Sequence, residues 1–329
     1  MMWILLAQAD TSGNPFAKVG IVGSKILTIT TSPKVAALGE AAVTLLGSDP
    51  LLMLSNPASV IFATNRAVGV GFFPYWVQTY ISDVAYIHPM RRYTLGFYIH
   101  GVYSGGFKHT IIDESDPKGY KELGTFSYTG MVLGTVAGGR LTDRFSVAIA
   151  PKFMWEGFGN FTNVWALAFD VGTLYETGFR GINIGMSVLN FGFDPSLSGT
   201  YTRYIYSGGD LIEDTSKFSS YKLPLTFKAG ISLDIFRGAY HSLMGMFEIN
   251  HPSDNSESIN VGLKYSYAGD LVYFSFGKKF RDGWWVSPTH DELFAAGFGL
   301  NLFGISFDYS YTVNYRMPDI SRFGFVYTF

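Results

Sequence analysis

Histidines close to acidic residues are the part of this sequence whose side chains have the chemistry for catalysis. The pairs are His109 with Asp113, His251 with Asp254, and His290 with Asp291. A histidine oriented by a carboxylate acts as a general base when a hydroxyl nucleophile lies within hydrogen-bond reach. All of these pairs fall in predicted loops, where such neighbours are ordinarily solvated. The sequence therefore predicts no catalytic site.

An acidic run in one predicted loop contains the residue types that bind calcium. Asp113, Glu114 and Asp116 offer carboxylate oxygens, which Ca²⁺ prefers as ligands. Their spacing matches no known calcium-binding loop. Cysteine is absent from the chain, which excludes zinc-finger and thiol-nucleophile chemistry. We therefore predict a solvated acidic loop, with no metal and no cofactor.

A second group of titratable side chains lies on the polar faces of alternating segments rather than in loops. Its members are Lys152, Asp170, Lys228, Asp234, Glu248, Lys264 and Asp308. If these segments enclose a lumen, the charges face its interior. An enclosed charge without a partner is costly, so we expect these residues to pair with one another or with a segment inside the lumen. The alternative is that they select what enters the lumen.

The segments that carry these charges alternate between apolar and polar residues with a period of two. Between residues 257 and 267, Ile259, Val261, Leu263 and Tyr265 share one face, and Asn260 lies on the other. The same pattern recurs in residues 93–99, 225–235 and 305–313. Such alternation predicts β-strands with one apolar face.

The composition indicates that the apolar face contacts lipid. Aromatic residues make up 17% of the 329 residues and charged residues only 15%, against roughly 25% in soluble domains. No apolar run approaches the roughly 18 residues that a spanning helix needs. A closed barrel is the remaining way to satisfy the backbone in a bilayer. A soluble β-propeller or β-sandwich is the rival, and it would need a more charged, water-facing side.

The pattern predicts an all-β fold: a transmembrane antiparallel barrel of about 14 strands over residues 66–329. Connections after even-numbered strands are short. Those after odd-numbered strands include the long segments 104–125 and 191–222, as expected for outer loops. A net charge of −2 without a dense basic cluster excludes nucleic acid as a partner. Membrane lipid is the expected partner, in a bacterial outer membrane.

The last strand places aromatic residues on one face and ends the chain on one of them. These residues are Phe323, Phe325, Tyr327 and Phe329. They resemble the assembly signal of outer-membrane proteins, which implies the barrel-assembly machinery as a partner. The alternative is an ordinary edge strand that happens to end in Phe.

The residues before the barrel show helix-start signals rather than the period-two alternation of the strands. Residues 1–9 resemble the end of a signal peptide truncated at its start, and residues 10–65 are predicted to form a plug segment. Ser32-Pro33 begins a predicted helix that ends at Gly47, and Asp49-Pro50 begins a second, shorter one. Asn56-Pro57 breaks the chain before the first strand.

These N-terminal motifs resemble those of PorV/PorQ-type proteins and, more distantly, FadL-type transporters. The resemblance rests on the run 36–42, on Ser48-Asp49-Pro50 and on Asn56-Pro57-Ala58. It implies a 14-stranded barrel whose N-terminal segment folds into the lumen. The FadL side implies a channel for small hydrophobic molecules, with Asn56, Pro57 and Ala58 as the gate; alternatively, Asn and Pro merely form a turn.

The PorV side of the resemblance implies a different function. A PorV-like protein would bind components of a type IX-like protein secretion system. The long segment 191–222, with Tyr201, Tyr204 and Tyr206, is expected either to cap the lumen or to contact such a partner. The sequence does not choose between the two functions.

Overall fold

The computed structural model of the chain describes residues 20–113, 115–207, 210–281 and 292–329. The predicted signal-peptide remnant (residues 1–9), Glu114 and the His290-Asp291 pair lie outside these ranges. The first described residues contain one short helix, α1 (Pro33–Ala37), and 3₁₀ turns at Lys25–Thr28, Pro50–Leu54 and Pro57–Val60. No helix in the described ranges has both the length and the apolar character needed to span a bilayer.

Sixteen strands follow, and all but two of them form one sheet. The strands are β1 (Ala67–Pro74), β2 (Thr79–Pro89), β3 (Tyr93–Ile112), β4 (Tyr120–Arg140), β5 (Phe145–Phe158), β6 (Thr162–Glu176), β7 (Asn183–Gly192), β8 (Thr200–Ser207), β9 (Asp210–Lys217), β10 (Thr226–Arg237), β11 (His241–Pro252), β12 (Ser258–Tyr267), β13 (Val272–Arg281), β14 (Glu292–Leu302), β15 (Ile305–Asn314) and β16 (Ile320–Thr328). β8 and β9 form a separate hairpin.

The large sheet closes on itself as an antiparallel barrel of 14 strands. Each strand pairs with its neighbour along the chain, except that β7 pairs with β10 across the hairpin. The ring closes where β1 meets β16, with Ala67 opposite Thr328. The predicted fold class is confirmed, and the propeller and sandwich alternatives are wrong.

The alternation read in the sequence sets the two faces of the wall. On β12, Val261, Leu263 and Tyr265 are exposed on the outside, whereas Ser258 and Asn260 are buried on the inside. Outward apolar side chains recur on every barrel strand. Burial of the inner face therefore comes from something that fills the lumen.

Two predicted long loops contain strand instead. β3 and β4 extend well beyond their neighbours, so that only residues 113–119 of the predicted loop 104–125 turn. Cross-strand pairs favour this extension: Phe107 stacks near Phe126 at 5.4 Å between ring centroids, and Lys108 pairs with Glu122 at 2.7 Å. The segment 191–222 likewise contains the β8–β9 hairpin.

The predicted helix from Ser32-Pro33 to Gly47 is wrong in length, because α1 ends at Ala37. Ser32 caps its start by accepting a hydrogen bond from the Val35 N–H. Gly39 and Glu40 then adopt positive φ of 61° and 65°, which ends the helix. The apolar spacing of the sequence is nevertheless used, since Val35, Leu38, Ala42 and Leu45 are all buried in one cluster.

Residues 25–63, called the plug below, fill the lumen. Glycines on the inner wall provide the space for it, because a Cβ at any of them would contact plug atoms within about 3.5 Å. These glycines are Gly69, Gly96, Gly130, Gly138, Gly172, Gly185, Gly230, Gly262, Gly277, Gly297 and Gly324. They lie around the whole ring, so the plug packs against the barrel on all sides.

Candidate functional site: the plugged lumen

The inner wall has an apolar half and a polar half. From β16 through β1 to β6, the buried inner residues are mainly apolar and form one cluster with the plug residues Met53, Val60 and Ile61. From β10 to β15 the inner face carries Ser, Asn, Thr and charged residues. Examples are Lys228, Ser232, Glu248, Asn250, Ser258, Asn260, Ser310 and Thr312, all of them buried. The plug therefore separates two wall surfaces of opposite character.

Glu248 fixes the middle of the plug to the polar half. Its Oε2 accepts hydrogen bonds from the backbone N–H groups of Ala42 and Val43, at 2.9 and 2.8 Å. Its Oε1 lies 3.6 Å from Lys228 Nζ. The carboxylate is almost fully buried, so its charge is balanced by these groups alone among the described residues. Two of the predicted lumen charges thus meet each other and the plug.

Two further ion pairs join the plug to the same half of the wall. Lys34 Nζ lies 3.0 Å from Asp49 Oδ2 within the plug and 3.8 Å from Asp308 Oδ2 on β15. Burial lowers the pKa of Lys34, but the Asp308 and Asp49 charges outweigh burial and hold the pKa above its ordinary value. Asp308 also accepts a hydrogen bond from the Tyr273 hydroxyl on β13.

Glu40 forms the second of these pairs, with Lys279 on β13. The Thr30 hydroxyl donates to the same carboxylate at 2.9 Å. Burial raises the pKa of Glu40, but the charges of Lys279 and Lys228 and the hydrogen bonds from Lys279 and Thr30 hold the pKa well below its ordinary value. Glu40 is therefore ionised in the packed plug.

The predicted lumen charges Lys152 and Asp170 pair across β5 and β6, with Nζ 2.7 Å from Oδ1. Asn190 joins them: its amide oxygen accepts from Lys152, and its backbone N–H donates to Asp170 at 2.7 Å. The Asn190 side chain also donates to the Leu27 carbonyl of the plug at 3.4 Å. This group anchors the plug to the apolar half of the wall.

Two of the predicted lumen charges form their ion pairs with barrel residues rather than with the plug. Asp234 pairs with Arg237 at 2.7 Å, and Lys264 pairs with Asp270 at 2.8 Å. Both pairs lie near the end of the barrel where the turns are short, at residues 238–240 and 268–271. We call this the short-turn end, and the opposite end the long-loop end.

One further anchor, between Asp83 and His100, was not predicted from the sequence. His100 Nδ1 lies 2.8 Å from Asp83 Oδ1, and Nε2 lies 3.1 Å from the Ile26 carbonyl oxygen. Both residues are buried and face each other across β2 and β3. Their inward positions on two adjacent strands were a usable signal, because polar side chains that lie opposite each other on one face of a sheet form cross-strand pairs.

Asn56, Pro57 and Ala58, the predicted gate, lie at the wall of β6. Asn56 Nδ2 donates to the Val43 carbonyl at 2.7 Å and to the Thr173 carbonyl at 3.2 Å, while Oδ1 accepts from the Ala58 N–H at 3.0 Å. Asn56 therefore caps the turn Pro57–Val60 and ties two parts of the plug to the barrel. All three gate residues are fully or almost fully buried.

The segment after β7 holds the start of the plug at the long-loop end. The Gly23 N–H donates to the Lys222 carbonyl at 3.2 Å, and Ser24 Oγ lies 3.0 Å from the Tyr221 hydroxyl. At the other end, residue 66 leads directly into β1. Residues 23–66 thus pass through the whole length of the lumen.

Two cavities lie on either side of the plug. One, of about 180 Å³, lies at the long-loop end between residues 25–32 of the plug and the polar half of the wall. The other, of about 780 Å³, lies at the short-turn end, between residues 61–64 and the turns 89–93 and 140–143. Displacing the plug would join them.

In the part of the chain that the structure describes, the histidines predicted to lie in loops are on strands instead, His109 in β3 and His251 in β11. His251 pairs with Glu257 at 2.9 Å, while its expected partner Asp254 is buried and pairs with Lys25 of the plug. His109 packs edge-on against Phe161. In the same described ranges, no three His, Asp or Glu side chains are close enough together to hold a metal ion.

The aromatic residues proposed as an assembly signal lie on the outer face of β16. They are Phe323, Phe325, Tyr327 and Phe329, with exposures of 37–54%. Phe307 packs on Phe325, and the Phe329 N–H donates to the Arg66 carbonyl at 2.9 Å. These contacts place the chain end at the closing seam, and the role in assembly stays a prediction.

No protein-family model matches the chain, and no curated protein matches it. Several solved structures match the chain. The toluene transporter TbuX of Ralstonia pickettii matches with a TM-score of 0.57 and 12% identity, over 91% of this chain and 98% of that one. The Pseudomonas putida toluene transporter TodX gives 0.55 and 11%, over 89% and 96%. A FadL homologue of Pseudomonas aeruginosa gives 0.51 and 12%, over 91% and 97%.

These matches define the class of fold to which the chain belongs. At such low identity they show a FadL-like plugged barrel and nothing finer. The FadL side of the sequence resemblance is therefore confirmed at the level of fold. The PorV/PorQ side has no match among families or curated proteins and stays a prediction.

Proposed function

We propose that the protein is a bacterial outer-membrane channel for small hydrophobic molecules, gated by its plug. The observation that carries this proposal is the position of the plug, which fills the lumen between the cavities at the two ends of the barrel. The solved proteins with this fold include toluene transporters. The apolar half of the wall offers a small hydrophobic molecule a favourable surface once the plug shifts.

The plug must move for this channel to conduct, and a reversible cross-link tests that requirement. A Cβ built on Gly262 lies 3.1 Å from the Leu38 Cβ, close to the roughly 3.5–4.5 Å of a disulfide. The chain has no native cysteine. The double variant Leu38→Cys/Gly262→Cys therefore forms one defined bond between plug and wall.

The measurement is uptake of radiolabelled toluene by cells that carry the variant in their outer membrane, before and after addition of a membrane-permeant thiol reductant. We expect low uptake when the bond is oxidised and recovery on reduction. The two single-cysteine variants control for the substitutions and for the reductant. Equal uptake in the oxidised and reduced states would overturn a moving plug as the gate.

A partner-binding role in a type IX-like secretion system is the second candidate. It is favoured by the β8–β9 hairpin, which stands apart from the barrel and exposes Tyr201, Ile205 and Ile212. Replacement of residues 199–218 by a short Gly/Ser linker tests it. Loss of co-purifying secretion components with unchanged toluene uptake would favour this role; unchanged co-purification would count against it.

A further inference from the structure

The cavity at the long-loop end differs from what a purely hydrophobic molecule would need. Its lining is apolar in part, through Leu27, Ile29, Leu54 and Leu189. The remaining lining is polar and rich in cationic groups: Lys25, Lys228, Lys279 and Arg281. The carboxylates of Glu40 and Asp254 also line the cavity, but a neutral hydrocarbon would leave Arg281 without a counter-charge among the described residues. The lining therefore fits a molecule with one apolar part and one anionic part.

The acidic groups near the cavity do not balance all of these cations. Lys25 pairs with Asp254, Lys279 with Glu40, and Lys228 approaches Glu248. No carboxylate in the described part of the chain forms an ion pair with Arg281, and its buried Nε has no hydrogen-bond partner there. Burial and the nearby Arg281 charge also lower the pKa of Lys25. An anion between these groups would relieve this repulsion.

Unpaired buried polar atoms in the lining also favour a ligand with a polar, anionic part. The Thr31 and Ser55 hydroxyls and the Asn250 amide oxygen have no hydrogen-bond partner among the described residues. All three residues line the cavity and are more than nine-tenths buried. Such groups are ordinarily paired, because leaving them unpaired is costly. Two of the three are hydroxyls, which can donate to an anionic oxygen.

The size of the cavity limits the apolar part of the ligand. A cavity of about 150 Å³ in another protein is known to take benzene. The cavity here has about 180 Å³, enough for one such ring and a carboxylate but not for a long acyl chain. From the charge, the unpaired groups and the volume, we propose that this cavity binds a monoaromatic carboxylate of the benzoate class. This rests on the proposed channel function and names its substrate class.

Equilibrium dialysis with radiolabelled benzoate against the full-length protein in detergent tests the site directly. We expect saturable binding, weakened at least about tenfold by Arg281→Gln, because a hydrogen bond between charged groups is lost. Lys278→Gln is the matched control, since Lys278 neighbours the site in sequence but is exposed on the outer face of β13. It should bind benzoate as the wild type does.

Thr31→Val provides a second variant that does not depend on a charge. The Thr31 hydroxyl has no hydrogen-bond partner among the described residues, so its removal should not lower the thermal stability, yet it should weaken benzoate binding several-fold. The absence of saturable benzoate binding, equal binding of toluene and benzoate, or equal loss in Lys278→Gln would each overturn the site.

The benzoate-binding and cross-link results together distinguish failure of the binding site from failure of the proposed channel. Uptake of toluene that responds to the Leu38–Gly262 cross-link, without benzoate binding, would leave the channel in place and remove the substrate class. Benzoate binding with the expected variant effects, but without cross-link-sensitive uptake, would retain the site and remove the channel.

Discussion

The Glu248 carboxylate on β11 accepts a 2.8 Å hydrogen bond from the backbone N–H of Val43 in the plug. The two residues are 205 positions apart in sequence. In a longer helix, the Val43 N–H would donate to a carbonyl of the same helix. Here it donates to Glu248 instead, and this bond attaches the plug to the wall. The conformation of the plug therefore depends on the barrel wall as well as on the plug's own sequence.

Glu248→Gln should loosen this attachment. The charge that strengthens both N–H bonds is lost, at a cost of about 1.5–3 kcal/mol for hydrogen bonds to a charged group, and Lys228 loses its counter-charge. We expect protection of the Ala42 and Val43 amides from hydrogen exchange to fall at least about tenfold. The exposed carboxylate of Glu213 supplies the control variant, Glu213→Gln. Unchanged protection of both amides in Glu248→Gln would contradict the attachment.

Gly277→Leu should displace the plug. A Cβ at this position would lie 1.9 Å from the Leu38 carbonyl carbon and 2.1 Å from the Gly39 nitrogen, and these backbone atoms make room only if the plug moves. We expect larger ion conductance in planar bilayers. Gly245→Leu is the control, because a Cβ there meets only the flexible side chains of Ile235 and Leu263 on the outer face. If both variants conduct alike, the glycines do not hold the plug in place.

Asn56→Ala should destabilise the turn that precedes β1. It removes a cap and leaves the buried Val43 and Thr173 carbonyls without this donor, at a cost of about 1–3 kcal/mol. The expected readout is faster hydrogen exchange at the Ala58 amide, together with higher toluene uptake if this turn opens with the plug. The exposed Asn163 gives the control, Asn163→Ala. Faster exchange with unchanged uptake would make Asn56 structural and exclude it from the gate.

The contact between Glu40 and Lys279 should make the plug sensitive to acid. Because the pKa of Glu40 is lower in the folded protein than its ordinary 4.5, its contribution is fully present above pH 4.5 and is lost as the pH falls towards the depressed value. We expect amide protection in residues 38–41 to fall between pH 5 and pH 3, by a larger factor than in Glu40→Gln. The same fall in both proteins would assign the effect to carboxylates other than Glu40.

The barrel could be predicted from the sequence because the alternation of apolar and polar residues is a property of each strand by itself. A strand with one face towards lipid and one towards the lumen must alternate, and residues 257–267 show that alternation without any knowledge of neighbours. The same parity predicts which charges point inwards. Of these, Lys152 on β5 and Asp170 on β6 lie two register positions apart and meet diagonally across the two strands.

The plug was less predictable because its conformation depends on distant residues. Val35, Leu38, Ala42 and Leu45 have the spacing of a helix, and they are buried as that spacing predicts. The helix nevertheless ends at Ala37, because Gly39 and Glu40 turn the chain to positive φ, and Glu248 on a distant strand then accepts hydrogen bonds from the N–H groups of Ala42 and Val43. The long β3–β4 extension was missed for a different reason: its charged and aromatic residues pair across the hairpin rather than alternate towards a core.

The pairing of β1 with β16 also determines the order in which the molecule can be assembled. The plug precedes β1 in the chain and is synthesised first, whereas the ring cannot close until the last residues have been delivered. Threading a folded plug into a finished ring would have to carry the residues before β1 through the whole lumen. Assembly is simpler if the strands pair around a plug that is already in place. The plug is synthesised before the strands, but it is enclosed only when β1 pairs with β16.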